Sequence, residues 1–371
     1  MVSSKQRLWI VSELFPPEET STAFIMGKIA EALSHKYDVG VLCGSEIYDP
    51  NRKRTTNQPY ESGDYQIFRA NCQTFNKNSL TGKAKSFIST TLSLYKLAKK
   101  HIQQGDKVLL VTNPAPLILF MSRLKRKRRF ELNILVHDVF PENTIAAGVK
   151  LPLYGFVKSL FDKAYSRADK LIVLGRDMAQ IMSEKTKNAV DLRIIENWGD
   201  FENIHEAPMP QSDRIILQYA GNIGRVQGLD KIIESLPENI EFHLYGSGAM
   251  EDRLKAYNKP NVFFYGPYTR NEQSEILGKC HISLVTLNDK MYGLGTPSKT
   301  YNILASGRPI LYFGPSESEI ELLIKEHGIG YIGWPECWDI PTLQRMGKEA
   351  RRIGEQLYSE KKILQKFRDM I

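Results

Sequence analysis

Gln218 to Asp230 reads QYAGNIGRVQGLD, and the fold turns on how this stretch is read. The run into it, Arg214 to Ala220, has the composition of a strand, and helical apolar spacing resumes from Leu229. Between them Gly221, Gly224 and Gly228 permit a tight turn and a close approach of backbone to a ligand. Strand, glycine turn and helix in that order make a unit of a parallel sheet. The helix is expected to aim its free N–H groups and positive dipole end at whatever sits in the turn. A diphosphate suits that place, and Arg225 adds a full charge. Taken alone, the glycine pattern also fits an ordinary strand-to-helix connection.

The same alternation extends outward in both directions. Downstream, strands are predicted at Ile240 to Tyr245, Val262 to Tyr265, His281 to Thr286 and Pro309 to Phe313, before a long helical tail from Pro341 to Met370. Upstream, Leu8 to Leu14 reads as a strand, and Ala23 to His35 as a helix with Ile25, Ile29, Ala32 and Leu33 on one face. Further strands are predicted at Asp38 to Cys43, Lys107 to Thr112, Leu132 to His137, Lys170 to Leu174 and Leu192 to Ile195. Such alternation predicts parallel α/β structure. Asn197 to Arg214, with Pro208 and Pro210 and no periodicity, reads as a linker. A chain of 371 residues exceeds one ordinary core. The expected architecture is therefore two Rossmann-like parallel-sheet domains, residues 1–198 and 199–354, facing across a cleft at their strand C-termini, where open α/β sheets bind ligands.

Composition narrows the function. Hydrophobic residues make up 42% and charged residues 25%, as in a soluble globular protein. Met1 to Leu14 lacks the apolar run and small-residue cleavage site of a signal peptide. The most apolar stretch, Val108 to Met121, is interrupted by Pro114 and Pro116 and is too short to span a bilayer. Cys43, Cys72, Cys280 and Cys337 lie far apart, predicting neither a zinc site nor a disulfide framework, which fits a reducing cytoplasm. Net charge is +8, a balance that favours anionic partners. Arg123 to Arg129 (RLKRKRR) is the densest basic run; it reads either as a membrane-facing patch at a helix end in the N-terminal domain or as a solvated helix end with favourable dipole interactions. It lacks interleaved aromatics, so nucleic-acid binding is not expected.

Three further segments carry candidate chemistry. Leu294 to Ile310 reads LGTPSKTYNILASGRPI, with Pro297 and Ser298 as a helix start and Gly307 as its stop. Lys299 then falls in the first turn, where a cation opposes the helix dipole; a bound anion explains it, and so does plain solvation. Ile134 to Asn143 reads ILVHDVFPEN, a strand ending in His137 and Asp138 at the cleft edge. His137 can donate to a hydroxyl, with Asp138 to orient it or accept a proton; a structural histidine and a turn-capping aspartate are the plainer readings. In FPPEETST, Phe15 to Thr22, Glu18 and Glu19 can meet sugar hydroxyls, and Thr20, Ser21 and Thr22 can contact an acceptor or simply cap the helix. There is no Asp-x-Asp pair, no Cys/His metal spacing and no phosphate-loop motif, Gly82-Lys83 lacking that context, so a metal-independent reaction without a cofactor is expected.

Taken together, FPPEETST, HDVFPEN, ENW at Glu196 to Trp198, YAGNIGRVQGLD, LYGSG at Leu244 to Gly248 and PSKTYNILASGRPI resemble glycosyltransferase family 4, of the GT-B fold, in its bacterial surface-polysaccharide branch. The resemblance spans nearly the whole chain. It implies a retaining transfer from a nucleotide sugar, a UDP-sugar by preference, held by the C-terminal domain. The acceptor, a polyprenyl-diphosphate-linked glycan, is held by the N-terminal domain at the inner face of the membrane, and the tail 355–371 packs back on that domain. His137 falls on the histidine expected beside the transferred sugar. Where many members carry an Arg and a Lys for the diphosphate, this chain has Asn222 and Gln227, and Arg225 and Lys299 are expected to supply the charge. Where many carry two glutamates, it has Leu294 and Asn302; Asn302 is expected on a ribose hydroxyl, and the backbone N–H groups of Gly293 to Gly295 on the sugar. Ile223, Gly224, Tyr268, Pro297 and Ser298 complete the expected donor site. The N-terminal loop also lacks the usual glycines. Two rival readings remain at this stage: a degenerate binding subunit, and a nucleotide-sugar epimerase.

Overall fold

The structure, a computed structural model, describes residues 5–18, 20–45, 63–71 and 80–371, and side chains within 80–84 fall outside that description. The first sheet holds β1 (Arg7–Ser12), β2 (Asp38–Cys43), β3 (Tyr65–Arg69), β4 (Lys107–Val111), β5 (Glu131–Leu135), β6 (Lys170–Val173) and β7 (Asp191–Ile194). Its order is β3-β2-β1-β4-β5-β6-β7, all parallel. The second holds β8 (Ile215–Ala220), β9 (Ile240–Tyr245), β10 (Val262–Gly266), β11 (Ile282–Thr286), β12 (Ile310–Phe313) and β13 (Gly330–Ile332). Its order is β10-β9-β8-β11-β12-β13, again parallel. Two Rossmann-like α/β halves are the observed fold. The central strands are buried along nearly their whole length and mostly apolar, as expected of strands covered on both faces.

The helices of the first half are α1 (Ser21–Ser34), α2 (Leu80–His101), α3 (Pro116–Arg128), α4 (Glu142–Ala146), α5 (Tyr154–Tyr165) and α6 (Arg176–Thr186). Those of the second are α7 (Leu229–Glu234), α8 (Glu251–Lys255), α9 (Gln273–Gly278), α10 (Lys299–Ala305), α11 (Glu319–His327), α12 (Ile340–Leu357) and α13 (Glu360–Met370). No helix among the described residues is long and apolar enough to cross a membrane.

The helical tail is two helices, not one. It breaks at Tyr358, where Gly199 and Ser359 pair in a short parallel bridge. From there α13 crosses to the first sheet and packs on α1, burying Ile363, Leu364 and Phe367. Lys28 pairs with Glu360 at 3.1 Å, and Lys170 donates to the Met370 carbonyl at 2.9 Å. The halves are also tied by Arg176 of α6, which grips Glu319 at 3.0 Å and Glu326 at 2.5 Å on α11.

Candidate active site

A cavity of about 450 Å³ opens between the C-terminal edges of the two sheets, within the range of small-ligand sites. Its floor on the second half is the glycine turn after β8. The turn is pinned by the Ile223 N–H to the Ser247 carbonyl at 2.9 Å and by the Tyr219 hydroxyl to the Asn222 carbonyl at 2.6 Å. Gly221 has φ +147°, a conformation that L side chains rarely adopt, and a Cβ there would lie 2.9 Å from the Lys299 Nζ.

Lys299 opens α10 and reaches back beneath the turn. Its Nζ stands 3.4 Å from the centre of the Tyr219 ring, is shut off from solvent and has no hydrogen-bond partner. Burial holds its pKa well below the ordinary lysine value. A buried ammonium with nothing but a ring face costs several kcal/mol, so the site either keeps the amine neutral or waits for an anion.

Across the cavity, β5 is followed by Val136, His137 and Asp138. The Thr112 hydroxyl, just past β4, accepts from the His137 N–H at 3.1 Å and the Asp138 N–H at 3.3 Å, which fixes the backbone. The His137 Nε2 is buried without a partner, and burial pushes its pKa down to about 4. The imidazole is therefore neutral at neutral pH, a hydrogen-bonding group and not a cation. Burial raises the Asp138 carboxyl against a hydrogen bond from Asn143 that lowers it. Asp138 also pairs with Gly295 in an isolated antiparallel bridge, so the two halves meet within the site itself.

The cavity brings together His137, Asp138, Gly221, Asn222, Gln227 and Tyr268 with Gly295, Pro297, Ser298, Lys299 and Asn302. On the N-terminal side only Ser21 and Thr22 of the expected acceptor residues line it. Thr20 does not; it is the N-cap of α1, its side chain accepting from the Ala23 N–H at 3.1 Å. Glu18 turns inward and is buried. Glu19 lies outside the described residues.

Several expected donor-side groups stand away from the cavity or are already engaged. Arg225 is exposed and lines a separate recess with Gly228, Asp230, Lys231 and Arg253, because a 3-10 turn over Arg225–Gln227 carries its side chain away from the cleft. The helix after the glycine turn, α7, begins only at Leu229, and its Asp230 and Lys231 line that same recess. Ile223 is a core residue, Gly224 is absent from the cavity wall, and Gly293, at φ +64°, packs on the Asp177 backbone. The Leu294 N–H already donates to the Met291 carbonyl at 3.0 Å and its carbonyl accepts from the Val139 N–H at 3.0 Å, so that peptide staples the halves together and grips no ligand. Asn302 does line the cavity, with its Oδ1 engaged by the Asp200 N–H at 3.0 Å.

One cation was missed. Arg270, four residues past β10, lines the cavity, pairs with Asp200 at 2.9 Å and stacks on Phe24 of α1 at 3.5 Å. The rule that drew attention to His137, polar residues just past a parallel strand's C-terminal end, applies equally here.

Two facing parallel-sheet halves, a cleft between their strand ends and a C-terminal helix that crosses back define the GT-B class. No protein-family model matches the chain. It is 31% identical over 394 aligned positions to a probable glycosyltransferase, WbjE, of Pseudomonas aeruginosa, covering 97% of this chain and 96% of that one. It is 25% identical over 230 positions to the putative colanic acid biosynthesis glycosyl transferase WcaI of Escherichia coli K12, covering 54% of this chain and 56% of that one. Among solved structures, sucrose-phosphate synthase from Thermosynechococcus elongatus superposes with a TM-score of 0.77 at 12% identity over 99% and 98% of the two chains. HepE from Anabaena, in complex with UDP and glucose, superposes with a TM-score of 0.61 at 12% identity over 98% of each chain. The chain belongs to glycosyltransferase family 4 and is a glycosyltransferase.

Proposed function

We propose that the protein transfers a hexose or modified hexose from a UDP-sugar to a polyprenyl-diphosphate-linked glycan at the inner face of the cell membrane, in surface-polysaccharide synthesis. The transfer retains the anomeric configuration and needs no metal. The observation that carries this reading is the Lys299 Nζ, buried and unpartnered at the floor of the cleft. An anion there completes it. The WcaI relative is named for colanic acid synthesis, and HepE holds UDP and glucose, which favours a uridine diphosphate as that anion.

In the reaction the bond between the anomeric carbon and the diphosphate oxygen breaks, and the acceptor oxygen bonds to that carbon on the same face. The acceptor proton leaves with the diphosphate. Lys299, protonated in the complex, takes up the charge that develops on the leaving group, the preorganised role a metal fills in other sites. The neutral His137 imidazole positions a sugar hydroxyl by hydrogen bonding. Asp138 holds the opposite wall through its bridge to Gly295.

Thermal shift over a panel of nucleotide sugars tests the donor, since a ligand bound only by the native state raises apparent stability. A UDP-sugar is expected to stabilise most. Turnover with a short-chain lipid-linked acceptor in the presence of a chelator follows. Stabilisation by sugars of another base alone, or activity abolished by the chelator, contradicts the proposal.

A further inference from the structure

Helices α2, α3 and α5 lie side by side on one face of the first sheet; Tyr95 of α2 and Phe120 of α3 have ring centres 5.0 Å apart, and α3 packs on α5. A crossover helix runs antiparallel to the strands it joins. The N-terminal ends of α2 and α5 therefore lie at the cleft edge of the sheet, and the C-terminal end of α3 lies at the opposite edge. This places the basic run at the end of α3 remote from the cleft, where Lys125 pairs with Asp169 at 2.8 Å.

The cleft edge carries something the sequence reading passed over. Near the middle of α2, Phe87, Ile88 and Leu92 are exposed. In the turn from α4 to α5, Ile145, Val149, Leu153 and Phe156 are exposed as well, Leu153 at 79% and Phe156 at 64%. Single exposed apolar residues are ordinary, but four within residues 145–156 are not. Leu153 stands at φ +54°, a left-handed conformation that Gly or Asn adopts with less strain, so local folding does not select a leucine there.

The ground beneath the cluster is fixed, and its acids face inward. The Lys185 side chain is 3% exposed and is held by Glu142 at 2.6 Å and Asp162 at 2.5 Å, with Lys158 on Asp162 at 2.6 Å. The surface itself has no acids: neither α2 nor residues 144–160 contain Asp or Glu. Lys85 and Lys150 are exposed there, and neither has an ion-pair partner among the described residues.

We propose that this cleft-side face docks on an anionic bilayer. The apolar tips of Ile88, Leu153 and Phe156 enter the interfacial layer, and Lys85 and Lys150 meet lipid phosphates. An acid-free, lysine-bearing apolar surface is complementary to that partner, and the turn leads directly back to Asp138 in the active site. The inference rests on the lipid-linked acceptor proposed above and adds where the enzyme meets the membrane.

The test is co-sedimentation of the full chain with phosphatidylcholine vesicles, with and without phosphatidylglycerol. Wild type is expected on the anionic vesicles. The double variant Leu153→Ser/Phe156→Ser should bind at least tenfold more weakly, about tenfold being the yield of one such side chain withdrawn from water. Its melting temperature and its transfer to a water-soluble acceptor should be unchanged. Arg126→Ser/Lys127→Ser should bind within about twofold of wild type. Equal binding by the Leu153/Phe156 variant overturns the proposal, as does absence of vesicle binding by wild type. So does a wild-type dimer that this variant splits, which would make the face a self-association surface. Vesicle binding retained with no transfer to any lipid-linked acceptor sinks the functional reading and leaves the docking surface standing.

Discussion

The glycine turn after β8 has two sides, and they differ in how their polar groups are satisfied. On the cleft side stand the Lys299 Nζ and, opposite, the His137 Nε2, both buried and both without a partner. On the outer side Arg225 is exposed, Arg253 lies 3.5 Å from Asp230, and Lys231 lies 3.4 Å from Asp289. Both sides are cationic, so charge alone does not separate them. What separates them is that the outer cations are content in water, whereas the cleft holds groups that folding by itself leaves unsatisfied. Native structures bury few such atoms, and a converging pair of them marks the place where a ligand completes the structure.

The sharpest way to break this contrast is to remove His137. His137→Ala should lower turnover by about a hundredfold to a thousandfold, the range for losing one positioned hydrogen-bonding group, and leave UDP affinity within about twofold. Calorimetric titration of UDP beside initial-rate kinetics checks both halves. A variant that loses UDP binding and melts early would make His137 a core residue.

Lys299→Met keeps the volume and removes the charge. Affinity for a UDP-sugar should fall about a hundredfold near pH 6. The wild-type affinity should itself decline as pH rises. Burial lowers the Lys299 pKa in the free protein and the diphosphate raises it in the complex, so binding takes up a proton between the two values. The Met variant should show neither the decline nor the proton uptake, read from calorimetry in buffers of different ionisation enthalpy. It should also melt a few degrees higher without ligand, since the buried amine no longer opposes folding.

A smaller effect tests the dryness of the His137 pocket. Its folded pKa of about 4 lies below the ordinary 6.5. From pH 6.5 downward the unfolded chain takes up a proton that the folded chain refuses until about pH 4. Stability attached to this group is therefore present above pH 6.5 and lost as pH falls toward 4. Between pH 7 and 4.5, wild type should lose about 2–3 kcal/mol more than His137→Gln in urea unfolding. Equal losses would mean that the ring is hydrated.

Much of the fold could be read before the structure, because strands buried on both faces carry unbroken apolar runs that stand out against amphipathic helices. The exceptions are physical. Tyr65–Arg69 and Gly330–Ile332 are edge strands, at opposite edges of their sheets, only partly buried, and so lack that pattern. The tail reads as one helix because the break at Tyr358 comes from a tertiary bridge to Gly199, not from Pro or Gly. In the site, PSK and HD were legible since a strand end or a helix start fixes where their side chains go. The direction of Arg225 was not, because one 3-10 turn redirects it. Nor was the fate of the Leu294 peptide, whose hydrogen bonds depend on the two halves meeting.

The smallest expected effect is the most discriminating. If charge content alone built the donor site, Arg225 and Lys299 would be equivalent, and either substitution would weaken UDP binding about tenfold or more. The geometry says otherwise. Arg225 lines a different recess from the one that holds Lys299, and it is solvated without a ligand. An exposed cation facing away from the diphosphate interacts only through water and salt, which screen it over roughly 8 Å at physiological ionic strength. Arg225→Ala should therefore leave UDP affinity within about twofold at 150 mM salt, with at most a slight weakening at low salt. Arg270→Ala is the natural companion, because its guanidinium does line the cleft and stacks on Phe24. It should weaken binding more than Arg225→Ala and less than Lys299→Met, since Arg270 is already paired with Asp200 and must share its charge. A tenfold loss in Arg225→Ala, with Lys299→Met unaffected, would move the diphosphate to the outer recess and reverse the assignment of the two sides.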